Sequence, residues 1–126
     1  MNLALWIVAI VLAVGFTASG LMKILRTKEQ LMASGMGWAQ DFSPSTIRLI
    51  GFAEILGAIG LILPAALHIA PILVPLAAVG LALVMVGAAV VHARRKEWPF
   101  VAVNAVLLAL AVIVAWGRFG PYPLPQ

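Results

Sequence analysis

Four apolar runs, each long enough to cross a bilayer, leave this chain little choice of architecture. They are Leu3–Leu25, Ile47–Leu63, Ile72–Val91 and Phe100–Trp116. A spanning helix needs about 17 to 25 residues. The second and fourth runs are at the short end of that range, and Ser45-Thr46 and Trp98-Pro99 extend them. Hydrocarbon offers no water to the backbone, so each run must satisfy its own N–H and C=O groups, which makes it a helix. With 126 residues there is room for one domain. Composition excludes the soluble class: 64% of residues are hydrophobic and 10% charged, against about half and about a quarter in soluble domains. Mean hydropathy is +1.14. The expected fold is all-α, an integral membrane four-helix bundle with helices at about 3–25, 45–63, 72–92 and 98–117, a loop at 26–44 that can hold a short interfacial helix, and a non-helical tail at 118–126.

The net charge of +4 reflects topology and not nucleic-acid binding. Four spans put the first and third loops on one side, together with Lys23, Arg26, Lys28, Arg48, Arg94, Arg95 and Lys96, seven of the eight basic residues. Only Arg118 falls on the other side. The positive-inside rule then places the basic loops in the cytoplasm and both termini on the non-cytoplasmic side. The expected location is a prokaryotic plasma (inner) membrane, with membrane lipids as the first partners, their anionic headgroups facing the basic loops.

Within this apolar background, four polar residues need an explanation. Glu54 lies six residues past Arg48, roughly 9 Å along a helix, at a depth where a carboxylate facing lipid is costly. Gly57 and Ala58 follow it at helical spacing and admit a neighbouring helix. Lys23 ends the first span, His92 closes the third, and Asn104 lies five residues past Pro99, about 7 to 8 Å into the fourth. All four fall in the cytoplasmic half, as the members of one shared pocket would. There, Glu54 can accept from Lys23 or from protonated His92. His92 is the natural proton donor or acceptor, and Asn104 can orient a ligand carbonyl or bond Glu54. The plainer alternatives are a Glu54 that merely pairs with a base to fix helix packing, and a Lys23 that snorkels to the interface.

The connections are less strongly patterned. Glu29–Ser34 reads as a short surface helix, Gly35–Gly37 as a turn carrying Trp38 to the interface, and Ser43-Pro44 as an N-cap followed by proline at the first helical position. Leu31, Met32, Met36, Trp38 and Phe42 are too apolar for a solvated linker. A lid on the membrane or dipping into the bundle mouth fits them, as does a plain interfacial loop. Pro64 reads as the end of the second helix, His68 as an exposed turn residue, and Trp116, Arg118 and Tyr122 as markers of the outer interface. There is no cysteine, which excludes a thiol redox centre, a disulfide and thiolate ligation within this chain. Glu54 and His92 are too few for a metal site, and none is expected.

The chain resembles the DoxX-like family. The resemblance rests on Phe16-Thr17-Ala18-Ser19-Gly20-Leu21-Met22-Lys23 closing the first span and on Gly51-Phe52-Ala53-Glu54-Ile55-Leu56-Gly57-Ala58-Ile59-Gly60-Leu61-Ile62-Leu63-Pro64. His92 before a basic turn and Asn104 in the last span complete it. The resemblance implies a role beside membrane redox proteins, since relatives include a subunit associated with thiosulfate:quinone oxidoreduction and others linked to oxidative-stress complexes. Other relatives act in membrane assembly. The expected function is therefore an accessory subunit of a redox or quinone-linked process, with a quinone-like or lipid ligand at Lys23, Glu54, His92 and Asn104. The alternatives are a structural or assembly protein without ligand chemistry and a small proton-coupled transporter. The small-residue surfaces suit a homodimer or a complex with a membrane or redox partner.

Overall fold

A computed structural model describes residues 1–125. Its long helices are α1 (Asn2–Leu25), α3 (Pro44–Ala66), α4 (Leu73–Arg94) and α5 (Trp98–Phe119). A short helix, α2 (Lys28–Ala33), and a 3-10 turn, Gly37–Asp41, fill the connection between α1 and α3. All four long helices have the length and apolarity to cross a membrane, and no strand occurs among the described residues. Packing runs α1 on α3, α3 on α4 and α4 on α5, and α5 closes the ring more thinly against α1. Leu3, Val14, Leu49, Leu56, Leu83 and Val106 are exposed around the outside. On a soluble protein such a surface would be an aggregation hazard; against acyl chains it is the expected coat.

Local chemistry sets the helix limits. The Thr27 hydroxyl accepts from the Gln30 N–H while the Gln30 side chain accepts from the Thr27 N–H, a capping box that starts α2. The Ser43 hydroxyl accepts from the Thr46 N–H at 3.2 Å, and Pro44 follows at the first helical position. α3 does not stop at Pro64, where the sequence suggests an end, but runs on to Ala66. A proline removes one donor and clashes behind itself, yet its own φ is helical, so the last turn can continue beyond it. Between α4 and α5 the chain reverses through Lys96 at φ +58°, and the Glu97 N–H reaches back to the His92 carbonyl at 2.9 Å. This left-handed cap brings the Glu97 side chain beside the end of α4.

The main core stacks Leu12, Phe16, Leu61, Leu81, Met85 and Val114 through the bundle. A second apolar cluster closes the basic end, where Leu31, Trp38, Ala39 and Ile47 pack with Met22, Met36, Phe42 and Val91 against them. Trp38 therefore turns inward, as a lid dipping into the bundle mouth and not as an interfacial loop, because the mouth has apolar area to cover and the 3-10 turn carries the indole over it.

One crossing sets the spacing of α1 and α3. A Cβ added at Gly20 would lie 2.6 Å from the Gly51 carbonyl oxygen, and one added at Gly51 would lie 2.7 Å from the Gly20 carbonyl oxygen. The obstacles are backbone atoms, so relief requires the helices to part. Gly20→Ala is expected to destabilise the bundle by about 1 to 3 kcal/mol in a detergent unfolding titration. Gly80→Ala, where a Cβ meets nothing within 4 Å, should leave the midpoint unchanged or raise it.

Candidate functional site

The Gly20–Gly51 crossing also explains how a lysine meets a carboxylate inside the membrane. Lys23 and Glu54 each lie three residues beyond one of these glycines. Side chains on a helix lean toward its N-terminus. On antiparallel α1 and α3 that makes Lys23 lean into the bilayer and Glu54 lean toward the basic end. The two meet: Lys23 Nζ donates to Glu54 Oε1 at 2.6 Å and to Ser19 Oγ, one turn back, also at 2.6 Å. Glu54 is only 1% exposed. Lys23 does not snorkel to water, and Ser19 joins the site as its second acceptor. The other oxygen, Glu54 Oε2, is buried and has no hydrogen-bond partner.

His92 is buried at the end of α4 and takes a different carboxylate from the one considered in the sequence. Its Nδ1–H donates to Glu97 Oε1 at 2.9 Å, because the tight α4–α5 turn delivers Glu97 to it. With a carboxylate on Nδ1, the neutral ring keeps Nε2 as an acceptor. Phe100 stacks on the imidazole with centroids 4.9 Å apart and planes at 19°. Trp38 meets the imidazole in an edge geometry at 6.3 Å and 84°, and Lys23 Nζ lies 5.6 Å from the indole centroid, within cation–π range. Contact thus passes from Glu54 through Lys23, Trp38 and His92 to Phe100. Asn104 sits one turn further along α5, buried, with its Nδ2 unpartnered.

A second pair of charges holds the Trp38 segment in place. Arg95 Nη1 donates to Asp41 Oδ2 at 2.9 Å, while its Nε lies 3.4 Å from Glu97 Oε2. The hydrogen bond to Asp41 is the main reason the Arg95 pKa is raised, and Glu97 adds to it. Glu97 therefore serves both His92 and the arginine that pins the lid.

The structure brings Lys23 and Glu54 into direct contact and joins His92 to them through Trp38. Asn104 is buried one turn beyond Phe100 on α5, whereas Phe100 itself is exposed. Sequence reasoning did not anticipate Ser19 and Glu97 as partners or Trp38 as the bridge. Arg118, expected at the interface opposite the basic loops, is only 6% exposed. Its Nη1 donates to Asn2 Oδ1 at 2.7 Å and to the Tyr122 carbonyl at 3.1 Å, tying the two chain ends together. No group of three or more His, Cys, Asp or Glu that could hold a metal occurs among the described residues.

Removing one member of a buried pair leaves the other charge uncompensated, at a cost of about 3 to 5 kcal/mol. Lys23→Met and Glu54→Gln should each lose stability on that scale in detergent unfolding. The double variant should lose clearly less than the sum; simple additivity would mean the pair is not formed.

A family model described as DoxX-like matches residues 7–114. No curated protein and no solved structure matches the chain.

Proposed function

The chain belongs to the DoxX-like family, and on that premise we propose that it is an accessory membrane subunit of a redox or quinone-linked process. In this reading it holds a ligand at the polar assembly of Lys23, Glu54, His92 and Asn104. The observation that supports the reading is a pair of buried, unpartnered atoms of opposite character. Glu54 Oε2 can only accept while ionised, and Asn104 Nδ2 can only donate. Buried polar groups without partners are rare and call for a water, ion or ligand. A quinone carbonyl accepts from an amide, and a quinol hydroxyl donates to a carboxylate. Trp38 and Phe100, each packed against His92, give the site an aromatic surrounding.

The division of labour follows from the side chains. Lys23 holds Glu54 in place and leaves one carboxylate oxygen for the ligand. His92 is held in orientation by Glu97 through Nδ1. The chain contains no cysteine, so electrons reside on the ligand or on a partner protein. Entry requires the Trp38 segment to move aside, because Glu54 is closed off from solvent. The basic end then faces the cytoplasm of a prokaryotic inner membrane, where the positive-inside rule puts it.

The second reading, a structural or assembly protein, draws on the Lys23–Glu54 contact: a carboxylate whose role is to clamp α1 on α3 needs no ligand. Lipid extracts of purified wild type, Glu54→Gln and Asn104→Leu separate the two. A quinone-class species that co-purifies with wild type is expected to fall about three- to twentyfold in each variant, the effect of losing one hydrogen bond within the membrane. Identical extracts from all three proteins, with partner capture intact, would leave the assembly reading.

A further inference from the structure

A cavity lies at the basic end, beside the polar assembly, and its walls are mostly cationic. It measures about 190 Å³ and is bounded by the end of α1, the start of α2 and the first turn of α3. Four cationic residues line it, Lys23, Arg26, Lys28 and Arg48, with Glu29 as the one carboxylate. The remaining acids of the chain are engaged elsewhere: Glu54 with Lys23, Asp41 with Arg95, and Glu97 with His92 and Arg95. Arg26, Lys28, Arg48 and Glu29 form no ion pair among the described residues. Three cations that form no ion pair therefore line one concavity, against a single carboxylate, Glu29. The Ser43 hydroxyl already occupies the Thr46 N–H at the start of α3, so the attraction comes from the side chains and not from the helix end.

We propose that this cavity binds a phosphate-bearing anion, at the level where α1 and α3 leave the hydrocarbon. Its volume falls short of the roughly 300 Å³ and more of a pocket for a whole drug-sized ligand, and suits a headgroup or a free phosphate. Arg26 and Arg48 supply planar, permanently charged forks that grip phosphate oxygens bidentately, and Lys28 adds a point charge. Thr27 is also on the wall, with a hydroxyl that already accepts from the Gln30 N–H and keeps its proton to donate. Lys23 is shared with the interior site but already faces Glu54, so it contributes little free charge here. Basic pockets between transmembrane helices are recognised sites for anionic lipid headgroups. A soluble phosphate offers the same oxygens.

The test uses the full chain in phosphatidylcholine nanodiscs, with two probes. One is phosphatidylglycerol at low mole fraction, with retention read by native mass spectrometry. The other is inorganic phosphate, read as a thermal shift. Arg26→Gln/Arg48→Gln removes two cavity charges, and both side chains are exposed, so folding should survive. Arg94→Gln/Lys96→Gln removes two charges from the same end of the bundle but outside the cavity. The expected result is that at least one probe binds wild type and the Arg94/Lys96 variant alike, and binds the Arg26/Arg48 variant about tenfold or more weakly. Retention of phosphatidylglycerol alone identifies a lipid headgroup as the source, and a shift with phosphate alone identifies a soluble anion. Equal weakening in both double variants would reduce the effect to general surface charge and overturn the proposal, as would failure of both probes to bind wild type. Should the double variant melt early, Arg48→Gln alone carries the test, with a loss of about three- to fivefold.

Discussion

The structure depends on an ion pair made where water cannot help. Lys23 and Glu54 meet at 2.6 Å in the interior of four apolar helices, and neither charge would be tolerable alone at that depth. The contact depends on backbone geometry. Only at a crossing as close as Gly20–Gly51 can a lysine leaning down α1 and a glutamate leaning along α3 meet within one side-chain length. The ion pair in turn discourages any sliding of α1 on α3, since a shift of one turn would strand both charges in hydrocarbon. Packing and electrostatics thus enforce the same register.

Above this pair the Trp38 segment acts as more than a connection. Leu31, Trp38 and Ala39 fill the mouth of the bundle, the indole touches both Lys23 and His92, and the Arg95–Asp41 hydrogen bond holds the segment down. The α4–α5 turn serves the same end, because its left-handed Lys96 delivers Glu97 to His92 and to Arg95. Two polar units, Lys23–Glu54 and His92–Glu97, are therefore separated by an aromatic ring and are not fused into one network. Glu54 Oε2 and Asn104 Nδ2 have no protein partners, and the proposed ligand would occupy those groups. On the far side of Lys23 the cationic cavity opens toward the headgroups, so the interior site and the surface site share one lysine.

The bundle could be read from the sequence because hydrocarbon imposes one rule on every run of apolar residues: twenty or so in succession become a helix. The same solvent made Glu54, Lys23, His92 and Asn104 conspicuous, since each is expensive there. What could not be read was which partner each would choose. Glu97 stood in a basic turn and looked like ordinary surface charge; its reach to His92 depends on the φ of Lys96, which no pattern in the chain reveals. Trp38 had a usable signal in the excess of apolar side chains around it, but an aromatic near a membrane surface is equally at home in the interface. Arg118 was the one basic residue at the end opposite the loops, and that isolation was the clue that it serves a local contact with Asn2 and the Tyr122 carbonyl. Pro64 reads as a stop in the sequence, yet its helical φ allows α3 another partial turn to Ala66.

Lys23 and Glu54 should be in direct contact in the folded protein within a lipid bilayer. Solid-state NMR on bilayer-reconstituted protein, with Lys labelled by 15N at Nζ and Glu by 13C at the carboxyl carbon, measures that contact through their dipolar coupling. A strong coupling that disappears in Glu54→Gln prepared with the same labels is the predicted result, matching the 2.6 Å nitrogen–oxygen separation. A Lys23 amine that shows no coupling to Glu54 and exchanges freely with water would contradict it, and with it the register of α1 on α3.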